Sequence, residues 1–147
     1  MDLEIDGNAA LVSASSSGLG KASAKALARE GADVLINGRD EARLAAAREE
    51  VEAIAAGDVV TRAGDITDPA ETEALVETAV AEFGSLDHLV TSAGGPPSGR
   101  FLETDDADWQ DAFDLLVMSV VRLARAAEPH LRDGGGTIVT ITSRSVK

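Results

Sequence analysis

The sequence predicts an α/β protein with a doubly wound parallel sheet, and three observations carry that expectation. Five short, continuously apolar runs alternate with four stretches of helical period. Glycines stop most of the helices, and acidic capping residues precede several of them. The first apolar run opens into a segment of small residues, Ser13 to Gly20, just ahead of the first helix.

In chain order, Ala9-Ala10-Leu11-Val12 is the first run. A helix is expected from about Leu19 to Glu30, with Ala22, Ala26 and Leu27 on one face and Gly31 as its stop. Val34-Leu35-Ile36 is the second run. Asp40 to Ala56 has strong helix propensity, and Leu44, Ala47, Val51 and Ile54 form its stripe. Val59-Val60 begins the third run. Asp68-Pro69 opens the next helix, a cap followed by a first-turn proline, with Leu75, Val76, Ala79, Val80 and Phe83 inward and Gly84 at the end. Leu86 to Val90 is the fourth run. After a Gly-Pro loop, one long helix is expected from about Asp106 to Arg132, stopped by Gly134-Gly135-Gly136. Thr137 to Ile141 is the fifth strand. Right-handed crossovers turn this β-α-β-α-β-α-β-α-β series into a doubly wound sheet with helices on both faces, a single domain over residues 1–147.

Composition narrows the function classes. The chain has 26 acidic and 13 basic residues, a formal charge of −13, which argues against nucleic acid or an anionic membrane as partner. With 44% hydrophobic residues it is no disordered acidic tail. It lacks cysteine, so neither a disulfide scaffold nor a thiolate zinc site is available. The longest apolar run, Leu115 to Met118, is far too short for a membrane span, and the acidic start has no signal-peptide character. A cytoplasmic protein is expected. The acidity fits a salty cytoplasm or ordinary acidic helix faces equally well.

On the long helix, Asp111, Asp114, Arg122, Arg125 and Arg132 fall on one narrow polar stripe. The apolar remainder, including Phe113, Leu116, Val117 and Val121, is wider than a sheet-covering helix needs. A homo-oligomer contact through helix 106–132 is therefore expected. His88 and His130 stand apart and suggest no metal site; Asp105, Asp106 and Asp108 suit a helix N-terminus.

The segment Ser13-Ala14-Ser15-Ser16-Ser17-Gly18-Leu19-Gly20 joins the first strand to the first helix, where backbone N–H groups can face a pyrophosphate. Its spacing resembles the Thr-Gly-x-x-x-Gly-x-Gly loop of the short-chain dehydrogenase/reductase family. The resemblance extends through Asn37-Gly38-Arg39-Asp40, Gly64-Asp65-Ile66-Thr67-Asp68, Thr91-Ser92-Ala93-Gly94, Trp109 with Phe113-Asp114, and Ile138 to Ser143. Within the family it is nearest the 3-oxoacyl-(acyl-carrier-protein) reductase-like branch.

The resemblance implies a Rossmann-type sheet of strand order 3-2-1-4-5, with a nicotinamide dinucleotide held by Ser13, Ser15, Ser16, Ser17, Gly18, Leu19 and Gly20. It implies adenine contacts from Asp65 and Ile66, and close passage of the nicotinamide ribose over Ala93 and Gly94. Strand two ends without an acid and continues into Arg39, which suits a 2′-phosphate, so NADP(H) is expected over NAD(H). Ser143 matches the catalytic serine that hydrogen-bonds a carbonyl or alcohol substrate. The chain departs from the family pattern elsewhere. It contains no tyrosine, Leu116 replaces a helix asparagine, Thr91 and Ser92 replace paired asparagines, and Ala14 replaces a glycine. The implied chain is the cofactor-binding first part of a longer oxidoreductase; the alternative is a dinucleotide-binding module without turnover.

Overall fold

The computed structural model describes residues 3–143, apart from the side chains of Arg132 and Asp133. Five strands, β1 (Ala9–Val12), β2 (Asp33–Gly38), β3 (Val59–Ala63), β4 (His88–Thr91) and β5 (Thr137–Thr140), form one parallel sheet in the order β3-β2-β1-β4-β5. The helices are α1 (Gly18–Arg29), α2 (Glu41–Glu52), α3 (Pro69–Phe83), α4 (Asp106–Phe113) and α5 (Ser119–Gly134). The expected strand order is observed. Leu11 of β1 lies in register with Leu35 of β2 on one side and Leu89 of β4 on the other.

Successive side chains on a strand point to opposite faces, so two cores form. Ala10, Val12, Val34 and Ile36 pack with Ala24 and Ala28 of α1 and Leu44 and Val51 of α2. Leu11, Leu35 and Leu89 pack on the other face with Leu75 and Ala79 of α3 and Leu123 and Ala127 of α5. Helices on both sides explain why these strands read as unbroken apolar runs rather than as alternating ones.

Several boundaries differ from expectation. The second helix ends at Glu52, not Ala56, because the Ala56 N–H is drawn to the Ala28 carbonyl at the end of α1, 2.9 Å away. The fourth strand begins at His88; Leu86 is buried ahead of it, and Asp87 N–H reaches the Ala9 carbonyl. The long helix is not uniform. A π-helical turn, Asp114–Met118, separates α4 from α5 and changes the phase of the side chains. Arg122 keeps its place beside Asp114 on the expected polar stripe, pairing with it at 3.4 Å, and also donates to the Thr67 carbonyl at 2.8 Å.

The sequence also predicts strands covered on both faces. That holds for β1, β2 and β4 but not for β5, whose four residues are all exposed among the described residues. The reason is placement: α5 packs mainly on α3 and β4 and leaves Ile138 and Val139 open.

Leu11 is fully buried at the sheet centre, whereas Leu19 at the start of α1 is 68% exposed. Leu11→Ala is expected to cost about 3 kcal/mol of unfolding free energy and Leu19→Ala less than about 0.5, measured by urea denaturation. Equal effects would contradict this core assignment.

Candidate dinucleotide site

The residues that the resemblance assigns to cofactor and substrate lie past the carboxyl ends of the strands. Ser13 to Gly20 follow β1, Arg39 follows β2, Asp65 and Ile66 follow β3, Ala93 and Gly94 follow β4, and Ser143 follows β5. Strand order reverses at β1, so the connection after β1 runs to α1 on one face and that after β4 to α5 on the other, the arrangement that opens a crevice at the strand ends.

The loop after β1 is built on buried hydrogen bonds. The Ser13 hydroxyl donates to the Ser92 carbonyl at 2.7 Å and accepts from the Ser92 N–H at 2.9 Å. The Ser15 hydroxyl donates to the Val12 carbonyl at 2.6 Å and accepts from the Asn37 N–H at 2.9 Å. Ser15 N–H donates to the Asn37 carbonyl at 2.7 Å. Ser13 and Ser15 are both fully buried, so their hydroxyls shape the loop from beneath. Ala14 takes φ +46°, a left-handed conformation that costs a non-glycine residue roughly 1 kcal/mol. Its N–H donates to the Asn37 side-chain oxygen at 3.1 Å.

Above these bonds, Ser16 is half-buried and Ser17, Gly18 and Leu19 are exposed. Gly18 sits at φ +57° with nothing within 4 Å of where a Cβ would be, so glycine is required by the backbone angle and leaves room for a ligand. Gly20 serves packing instead: an added Cβ would lie 2.5 Å from the Ala14 carbonyl oxygen. The N-terminus of α1 has no side-chain cap from Ser17 and no acid in its first turn. Helices α2, α3 and α4 are capped by Asp40, Asp68 and Asp105, each accepting a backbone N–H. The first-turn N–H groups of α1 thus present a partial positive charge suited to an anion.

At the other end of the crevice, Arg39 lies 3.7 Å from the Asp65 carboxylate, with its side chain 76% exposed. The crossover after β3 brings Asp65, 26 residues further along the chain, to its side. Asp65 also accepts from the Thr67 N–H and hydroxyl at 2.9 and 2.8 Å, closing the turn before α3. Partial burial pushes the Asp65 carboxyl up, but the Thr67 bonds and the Arg39 charge outweigh it and hold it below the ordinary aspartate value. Ile66 beside it is buried. Arg122 of α5 holds this turn by donating to the Thr67 carbonyl.

Near β5, the Thr91 hydroxyl donates to that of Thr140 at 3.0 Å, and Ile141 N–H continues the pairing to the Thr91 carbonyl at 2.9 Å. Ala93 is half-buried, and Gly94 and Ser143 are exposed. Leu116 lies in the π-helical turn, and its side chain is exposed. An open, mainly apolar cavity of about 320 Å³ lies in the crossover after β4, lined by Pro96, Pro97, Phe101 and Trp109. It shares no residue with the loop after β1.

The remaining polar candidates have structural roles. His88 lies at the opposite, amino end of the sheet, its ring nitrogens bonded to Asn8 and Thr137. Asp105 and Asp108 form a reciprocal cap on α4. Among the described residues no cluster of three potential metal ligands occurs, and no helix is long and apolar enough to cross a membrane. Asn37 escaped sequence reading as a site residue. Its signal was a lone amide in an otherwise apolar buried strand.

Because its folded-state value is lowered, Asp65 stabilises the fold above its unfolded-state value, and that contribution is lost as pH falls through the folded value. Carboxyl carbon NMR titration is expected to place its midpoint below that of an unstructured aspartate, and Arg39→Ala is expected to move it upward.

The family model for short chain dehydrogenases matches residues 8–147. A 7alpha-hydroxysteroid dehydrogenase of Escherichia coli is 31% identical over 147 residues, covering 99% of this chain and 57% of that protein. A hexahydro-indene-carboxyl-CoA reductase of Mycobacterium tuberculosis is 35% identical over 142 residues, 95% of this chain and 54% of that protein. Among solved structures, L-sorbose reductase from Gluconobacter frateurii in complex with NADPH and L-sorbose superimposes with a TM-score of 0.89 at 37% identity, covering 95% of this chain and 54% of that one. The chain therefore spans about half the length of the relatives it matches. On this evidence the chain belongs to the short-chain dehydrogenase/reductase family, as a portion containing the amino-terminal nucleotide-binding fold.

Proposed function

We propose that this chain is the NADP(H)-binding portion of an oxidoreductase that interconverts a carbonyl and an alcohol. The observation that carries the reading is the uncapped N-terminus of α1 above a glycine loop, set at the point where the strand order reverses. The pyrophosphate rests on the N–H groups of Gly18, Leu19 and Gly20, with Ser16 and Ser17 beside them and Ser13 and Ser15 holding the loop. Asp65 and Ile66 receive the adenine, and Ala93 and Gly94 leave space for the nicotinamide ribose. When bound, the cofactor supplies or takes the hydride. Ser143 donates a hydrogen bond to the substrate carbonyl.

The preference for NADP(H) rests on two neighbouring positions. Arg39 holds an exposed guanidinium beside Asp65, within reach of a 2′-phosphate. Gly38, where an acid would bind a ribose 2′-hydroxyl, has no room for a side chain: an added Cβ would lie 2.8 Å from the Ser16 hydroxyl and 2.9 Å from its Cβ. Relatives use either form of cofactor. The L-sorbose reductase structure holds NADPH, and a 7 alpha-hydroxysteroid dehydrogenase structure holds NADH.

A module without turnover is the second reading, supported by Leu116, which stands where the family pattern has a helix asparagine. The exposed face formed by Phe113, Leu116, Val117 and Val121 is assigned to contact with a second copy of the chain. No nucleic acid or membrane partner is assigned, and a cytoplasmic setting fits the composition.

Fluorescence titration of the 147-residue chain is expected to show NADPH binding about tenfold tighter than NADH, with Arg39→Asp reversing the order. Unchanged relative affinity in Arg39→Asp would sink the cofactor assignment. The same chain is expected to reduce no ketone, and measurable turnover would refute that. In sedimentation, Leu116→Glu with Val117→Asp is expected to convert a dimer to a monomer; a wild-type monomer contradicts the contact.

A further inference from the structure

We infer that Asn37 is a positioning residue for the dinucleotide, an amide strut that sets the phosphate loop after β1 against the adenine turn after β3. The inference rests on the dinucleotide reading above and adds to it a residue that touches no ligand.

Asn37 is 1% exposed, and its side chain joins three segments. Its oxygen accepts the Ala14 N–H at 3.1 Å. Its amide nitrogen donates to the carbonyls of Arg62 and Gly64, both at 3.1 Å. The partners fix the orientation, since a flipped amide would face an N–H with a donor and two carbonyls with an acceptor. The backbone of Asn37 is tied to the same loop through Ser15 on both its N–H and its carbonyl.

Ala14 needs this support. It holds φ +46°, a region that suits glycine, at the start of the loop that leads to the open N-terminus of α1. On the other side, Gly64 immediately precedes Asp65, whose carboxylate faces Arg39. One buried amide therefore relays the position of the phosphate end to the adenine end. A shift at either end changes the span that a dinucleotide must bridge, and pre-forming that span lowers the ordering cost of binding.

The test uses titration of the 147-residue chain with NADPH and NADH, well below the melting temperature of each variant. Asn37→Ala is expected to weaken both nucleotides alike, by about tenfold, because the strut acts on the shared pyrophosphate and adenine. Arg39→Asp, by contrast, changes their ratio. Adding Ala14→Gly to Asn37→Ala is expected to restore most of the affinity without restoring the melting temperature, since glycine adopts the loop conformation unaided. Hydrogen exchange at the Ala14 amide is expected to speed up in Asn37→Ala. If Asn37→Ala does not fold, Asn37→Ser, too short to reach Ala14, carries the same expectations. Unchanged affinity in a folded variant, or no recovery with Ala14→Gly, overturns the strut alone. Failure of the wild-type chain to bind either nucleotide overturns the dinucleotide reading and the strut together.

Discussion

Burial of β1 on both faces and both edges is the constraint from which the rest of the site follows. All four of its residues are buried, and it hydrogen-bonds to β2 and to β4. A chain leaving such a strand cannot satisfy its next polar groups with water, so it must satisfy them inside the protein. Ser13 and Ser15 do this by turning their hydroxyls onto Ser92, Val12 and Asn37. Their small size matters as much as their polarity, since a bulkier residue would lift the loop off the strand ends. Once the loop is tied down, α1 starts close over the sheet, and Gly20 permits the approach of the helix to Ala14.

Electrostatics then distinguishes this helix from the others. A chain of net charge −13 places aspartates at the N-termini of α2, α3 and α4, where they neutralise the partial positive charge. Only Ser17, without a side-chain bond, stands before α1. The acidity that disfavours nucleic acid as a partner thus coexists with an open helix N-terminus whose partial charge suits an anion. Lys21 and Lys25, further along α1, are occupied by Glu50 of α2, so the positive character at the loop comes chiefly from the backbone. Arg39 is the nearby exception, and its exposure keeps it available despite Asp65.

Much of this was legible beforehand. Periodicity located all five strands and the helices, since burial on two faces writes itself into unbroken apolar runs such as Val34-Leu35-Ile36. Glycine spacing located the loop, because Gly18 answers a backbone angle and Gly20 a close approach, and both are local demands. The phase of the long helix was not legible. Its residues continue in helical spacing through Asp114–Met118, and the π-helical turn there leaves no mark on composition.

By itself the sequence determined the layering and the residues gathered at the carboxyl ends of the strands, because those depend on hydrophobic period and on the handedness of crossovers, while the strand order followed from the family resemblance. Tertiary structure alone decided the partners. Asp65 faces Arg39, Thr67 receives Arg122, and Asn37 joins Ala14 to Arg62 and Gly64. These contacts join residues 23 to 55 positions apart. Nothing in local spacing specifies them, since they arise only when parallel crossovers bring successive strand ends side by side.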